Sequence, residues 1–229
     1  TVLDLCSKSS INKLMPYKNL VKVVYGDIED ADLVRDLVKR NDIVIDYAGI
    51  MPPFANMNDS VSNSINFQGT KNIVDSINAT NPECLYIYMS FISVYGESDN
   101  ERRVLNVDTE SNHPDDYYSV SLIRSEDYIR SNLKKYAIIR MPIVLTKKNY
   151  FLRFMRLNSK IDFITKSDLN DIVLGIIKSK KILGKTFNIS GFRANSSDVV
   201  EAIYKHSGKL SILNRKIYYG FFEDGETLS

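Results

Sequence analysis

The apolar runs of this chain do not alternate with polar residues, and that constrains its fold more than any other feature. Residues 1–5, 21–25, 43–45, 85–89 and 137–141 carry apolar side chains at neighbouring positions, so the strands they predict must be covered on both faces. Burial of both faces calls for a parallel sheet with helices on each side. The intervening segments supply the helices. Residues 30–40 place Leu33, Val34, Leu37 and Val38 on one face, and the stretch 60–77 carries Ile65, Ile73, Val74 and Ile77. Further helices are predicted at 117–133, 169–178 and 197–207, a last strand at 186–189, and a loop at 7–12 entering a short helix. The pattern predicts an α/β fold built on a doubly wound parallel sheet.

Charge and cysteine content narrow the partners. A net charge of +2 gives no reason to expect nucleic acid or an anionic membrane. Cys6 and Cys84 have no metal-ligand spacing and lie in apolar runs, which predicts two buried thiols, a reducing compartment and a cytoplasmic location. No run is long enough to span a membrane, and no signal segment opens the sequence, so none of its Asn-x-Ser/Thr triplets is expected to be glycosylated. His113 and His206 have no carboxylate or serine constellation around them, and no metal site is expected.

Ligands of open α/β sheets lie outside the carboxyl ends of the strands, so the strand ends come first. Asp4 is placed either to accept hydrogen bonds from ribose hydroxyls or to cap the next turn. Asp27 and Ile28 offer an amide contact and an apolar wall for adenine, or an ordinary turn. Ala48 and Gly49 allow a ligand to approach the backbone closely, or serve packing alone.

Taken in order, Val2-Leu3-Asp4, Gly26-Asp27-Ile28, Ile45-Asp46-Tyr47-Ala48-Gly49, Asn66-Phe67-Gln68-Gly69-Thr70, Ser93-Val94-Tyr95-Gly96, Tyr118-Ser119-Val120-Ser121 with Glu126, Arg140-Met141-Pro142, Asp168-Leu169 and Phe187-Asn188-Ile189 resemble the extended short-chain dehydrogenase/reductases, the NAD-dependent epimerase/dehydratase group. The resemblance implies an NAD(P)-binding Rossmann-like fold, with Asp4, Asp27, Ile28, Ala48, Gly49, Asn66 and Tyr118 lining the cofactor. It implies NAD rather than NADP, because the Asp4 carboxylate repels a 2′-phosphate. It also implies a homodimer through a four-helix bundle of helices 60–77 and 117–133. Residues 1–145 would form the cofactor-binding part, and 146–229 a small substrate-side region interleaved with the last strands.

Three departures qualify what the resemblance implies. The first strand and glycine-rich turn that open such folds are absent from the sequence, which predicts a gap in the sheet between strands 2–5 and 43–45 and a native polypeptide longer at its N-terminus. The Tyr-x-x-x-Lys pair reads Tyr118-x-x-x-Leu122; without the ammonium, roughly one tyrosine in a thousand ionises at neutral pH. Arg124 lies too far round the helix to replace it. The serine or threonine of the group is Phe91 here, with Ser90 and Ser93 flanking it as candidate hydroxyls. Arg153 and Arg156 are placed to meet a substrate diphosphate or to form a solvated basic face, and Asp168 is expected to cap a helix. Two functions remain open: an oxidoreductase with a degenerate active site, acting on a nucleotide sugar or related carbonyl/alcohol substrate, or a non-catalytic NAD(P)-binding sensor or scaffold.

Overall fold

The computed structural model describes residues 1–96, 105–109, 116–145, 160–179 and 182–207. Strand β1 (Val2–Asp4) pairs in parallel with β2 (Val23–Tyr25), and helix α1 (Lys8–Leu14) leaves the first strand. The polar residues after β1 start this helix, because the Ser7 hydroxyl accepts from Ser10 N and caps it. Helix α2 (Ala31–Val38) is capped in the same way by Asp30 and buries Val34 and Val38.

Four further strands form one parallel sheet in the order β3 (Ile43–Asp46), β4 (Leu85–Phe91), β5 (Tyr136–Met141) and β8 (Lys185–Asn188). The side chains of β4 explain why its sequence does not alternate. Tyr86 and Tyr88 enter the cluster formed with Ile73, Val74, Ile77, Leu122 and Ile129, while Ile87 and Met89 enter a second cluster with Ile139, Ile164, Leu169, Val173 and Ile176. Helices α4 (Gly69–Thr80) and α5 (Tyr117–Asn132) belong to the first layer and α6 (Lys166–Lys178) to the second, so the sheet is wound on both faces.

The expected interruption of the sheet is present. Among the described residues, strand β1 pairs only with β2, and β3 only with β4; between them a cleft of about 900 Å³ is lined by both strands and by Val34, Leu37, Ile65 and Ile73 from the helices. A third sheet, β6 (Ile143–Leu145), β7 (Lys160–Thr165) and β9 (Phe192–Asn195), was not predicted. Its strands follow a proline or carry charged residues such as Lys160, Asp162 and Arg193, which weakens the apolar signal. Helix α7 (Ser196–Ser207) completes the described chain.

Three expectations are corrected. Cys84 is buried, but Cys6 is exposed, because β1 ends at Asp4 and leaves Cys6 in the turn before α1. The predicted helix 60–77 is interrupted: α3 (Asp59–Ser62) gives way to one π-helical stretch, Asn63–Gln68, before α4. Asp168 does not cap α6; Thr165 does, its hydroxyl accepting from Asp168 N at 3.2 Å.

Candidate cofactor and catalytic site

The carboxyl ends of β1, β2 and β3 open onto the same cleft. Asp4, Asp27, Ile28, Ala48 and Gly49 all line it, together with Leu5, Gly26, Tyr47 and Ile50. Asp4 Oδ1 accepts from Leu5 N at 2.8 Å, and Asp27 Oδ1 from Glu29 N at 3.0 Å. Each bond fixes a carboxylate at a strand end, and a carboxylate has capacity for further donors. Both alternatives raised for Asp4 are thus compatible with one geometry, since it holds its turn and also faces the cleft.

Asn66 and Tyr118 are not among the residues lining the cleft. Asn66 acts on it from behind. Its Oδ1 accepts from Ile50 N at 2.8 Å; its Nδ2 donates to Ile50 O at 3.2 Å and to Ser121 Oγ at 3.0 Å. The buried amide thus ties the turn after β3 to α5, and the π-helical stretch carries it there, an irregularity common at functional sites. Gly49 packs tightly at this point: a β-carbon there would stand 3.1 Å from Asn66 Oδ1, so the amide would have to give by a few tenths of an ångström.

Beneath the same turn lies Asp46, which sequence reasoning did not single out. It is buried at the end of β3, with Oδ2 accepting from the Tyr86 hydroxyl at 2.6 Å and Oδ1 from Ala48 N at 2.9 Å. Burial raises its pKa to about 6, and the bonds from Tyr86 and Ala48 hold it down against that trend. The signal in the sequence was an Asp inside an otherwise apolar strand.

Tyr118 stands in the first turn of α5, where Asp116 caps the helix and Asn56 Oδ1 accepts from Tyr118 N at 3.0 Å. Phe91 packs against its ring, and Leu122, one turn on, is buried in the same cluster. Burial pushes the phenol above its ordinary range, and the charge of Asp116 adds to the rise. The two candidate hydroxyls part company. Ser90 is fully buried and donates to Glu126 Oε1 at 2.6 Å, whereas half-buried Ser93 accepts from the hydroxyl of Ser119, the neighbour of Tyr118, at 2.8 Å. Arg124 Nη1 donates to Asn63 Oδ1 on the exposed side of the helix, in keeping with its expected direction. Arg153, Arg156 and His113 lie outside the described residues. Among the described residues, no group of three or more His, Cys, Asp or Glu could hold a metal ion, and no helix is long and apolar enough to cross a membrane.

A doubly wound parallel sheet with acidic and small residues at adjoining strand ends defines the dinucleotide-fold class. Within it, the chain belongs to the 3-beta hydroxysteroid dehydrogenase/isomerase family, whose sequence model matches residues 1–135, and the resemblance to extended short-chain dehydrogenase/reductases is borne out. Among the solved structures that share its fold are the following three. UDP-glucuronic acid 4-epimerase from Bacillus cereus, in complex with UDP-glucuronic acid and NAD, is 18% identical with a TM-score of 0.74, covering 90% of this chain and 74% of that one. The DesIV dTDP-glucose 4,6-dehydratase double mutant from Streptomyces venezuelae, with NAD bound, is 16% identical with a TM-score of 0.77, covering 90% and 71%. RMD from Pseudomonas aeruginosa, complexed with NADPH, is 17% identical with a TM-score of 0.71, covering 90% and 82%. No curated protein matches the chain in sequence.

Proposed function

We propose that this chain binds an NAD-type dinucleotide at the carboxyl ends of β1, β2 and β3 and acts as an oxidoreductase on a nucleotide sugar or related carbonyl/alcohol substrate. The observation that carries the reading is the convergence of Asp4, Asp27, Ile28, Ala48 and Gly49 on one cleft, from three separate strand ends. The residues fit the group: Asp4 offers a carboxylate to ribose hydroxyls, Ile28 an apolar wall to a base, and Gly49 a backbone without a side chain. The B. cereus and S. venezuelae relatives carry NAD, and a carboxylate at Asp4 favours NAD over its 2′-phosphorylated form.

When bound, the dinucleotide supplies hydride transfer. The protein's own part is proton handling. With Leu122 in place of a lysine, Tyr118 stays protonated at neutral pH and is suited to donate a proton or a hydrogen bond to a carbonyl oxygen. Ser93, coupled to Ser119, is the nearer candidate for a second donor than Ser90, which serves Glu126. Arg153 and Arg156 are proposed to meet the anionic part of the substrate. Helices α3 to α5 are proposed to pair with those of a second copy, and sedimentation showing monomer alone would exclude that pairing.

A second reading, a cofactor-binding protein without turnover, is favoured by the apolar setting of Tyr118 between Phe91 and Leu122. Titration with NADH, followed by nicotinamide fluorescence, tests the first step shared by both. Binding weakened about tenfold or more by Asp4→Ala supports the site. Absence of binding to NAD, NADH and NADPH would refute both readings.

A further inference from the structure

The buried pair Glu126 and Arg140 meets the site described above through Ser90, which donates to Glu126. Glu126 lies in α5, eight residues after Tyr118, and is 1% exposed; Arg140 is the last but one residue of β5 and is 7% exposed. Glu126 Oε2 accepts from Arg140 Nη2 at 2.7 Å, and both of its oxygens lie within 3.2 Å of Arg140 Nε. Ser90 and Arg130 also donate to this carboxylate. Burying two charges costs several kcal/mol in lost hydration, and a well-packed apolar pair often does as well for stability. What an apolar pair lacks is the remaining arm of the guanidinium.

That arm points at the backbone of a loop. Arg140 Nη1 donates to Val107 O at 3.2 Å and to the Tyr95 hydroxyl at 2.6 Å, with the guanidinium 4.8 Å from the Tyr95 ring. The Tyr95 hydroxyl lies 2.8 Å from Asn106 O and 2.7 Å from Asn188 Oδ1, with one proton for the two acceptors. Asn188 Nδ2 in turn donates to Leu105 O at 3.4 Å. Three successive carbonyls, at 105, 106 and 107, therefore meet three side chains drawn from β8, from the turn after β4, and from β5. A backbone segment outside any sheet ladder must find its partners elsewhere, and this one finds them in the ends of the central strands.

We propose that Glu126 and Arg140 are positioning residues that hold the 105–107 backbone, through Tyr95 and Asn188, as a fixed wall at the carboxyl edge of β4, β5 and β8. Glu126 orients the guanidinium; Arg140 then addresses Val107 directly and Asn106 through Tyr95. Lysine could not substitute, because it is a single point charge and lacks a second nitrogen at a fixed angle. Because α5 also carries Tyr118, the same carboxylate links the wall to the proposed catalytic helix. That link to catalysis rests on the proposed function; the positioning itself does not.

The test measures amide hydrogen exchange at 105–109, alongside NADH affinity, in Tyr95→Phe, Asn188→Ala and Arg140→Lys. The first two leave the buried ion pair intact, so the chain keeps its fold, and Arg140→Lys keeps the charge while removing the second nitrogen. Each is expected to speed exchange at 105–109 by about tenfold or more, with exchange elsewhere and NADH affinity changed by less than about twofold. Exchange at 105–109 that stays at the original rate, or acceleration spread over the whole sheet, would overturn the positioning role. Failure of the unsubstituted protein to bind NADH would instead overturn the proposed function, leaving the exchange pattern to decide the inference.

Discussion

The rings of Phe91 and Tyr118 meet at a centroid distance of 6.2 Å and an angle of 59°. By the family resemblance, a hydroxyl would stand where Phe91 does, and an ammonium where Leu122 does. The chain instead places Phe91 against the phenol ring and Leu122 in the same buried cluster, and burial raises the pKa of Tyr118 accordingly. An apolar surround of this kind suppresses the phenolate and leaves the neutral hydroxyl.

Leu122→Lys is expected to restore the missing cation. Leu122 is 5% exposed, so the variant buries an ammonium and loses on the order of 2–4 kcal/mol of stability. Turnover of a carbonyl substrate with NADH at neutral pH is expected to rise about tenfold or more as the tyrosine pKa falls. Rates unchanged across a panel of carbonyls, with NADH still bound, would favour the reading without turnover.

Asn66→Ala is expected to loosen the turn after β3. The substitution leaves Ile50 N without its acceptor and Ser121 without its donor, a loss of about 1–3 kcal/mol measurable by urea denaturation. NADH affinity is expected to fall as well, because Gly49 and Ile50 line the cleft. A variant that lost stability but bound NADH as before would separate the Asn66 hydrogen bonds from the proposed cofactor site.

How much of this could be read from the sequence depends on the kind of interaction. The parallel sheet was legible because β4 buries both faces, and residues such as Ile87 and Tyr88 record that directly. The strand-end residues that line the cleft were legible because Asp4, Asp27 and Gly49 each follow an apolar run. The π-helical stretch was not, since its residues keep helical periodicity while one turn widens to deliver Asn66. Nor was the division of labour between Ser90 and Ser93, which rests on Glu126 and Ser119, 36 and 26 residues away in sequence. The sheet β6–β7–β9 was missed because Arg193 pairs with Asp162 across β9 and β7, and charges at such positions read as loop.

Asp46 should leave a signature in the pH dependence of folding. Its native pKa is about 6, against roughly 3.9 for an aspartate in an unfolded chain. Below the lower value both states are protonated, and Asp46 contributes no pH dependence. Between the two values the native state holds a proton that the unfolded state has released, so stability falls as pH rises. Above about 6 the penalty is complete, on the order of 3 kcal/mol. The direction is opposite to that of a salt-bridged carboxylate. Tyr86 faces Asp46 with its hydroxyl, and burial holds that phenol protonated across this range, so it does not compensate. In Asp46→Asn the side chain stays neutral at every pH, and its amide oxygen can still accept from Ala48 N. The urea midpoint of the variant, relative to the unsubstituted protein, is therefore expected to rise as pH climbs from about 4 to about 7. Parallel curves over that interval would mean that Asp46 titrates at its ordinary value, and that the turn at Ala48 and Gly49 rests on a carboxylate ionised over most of it.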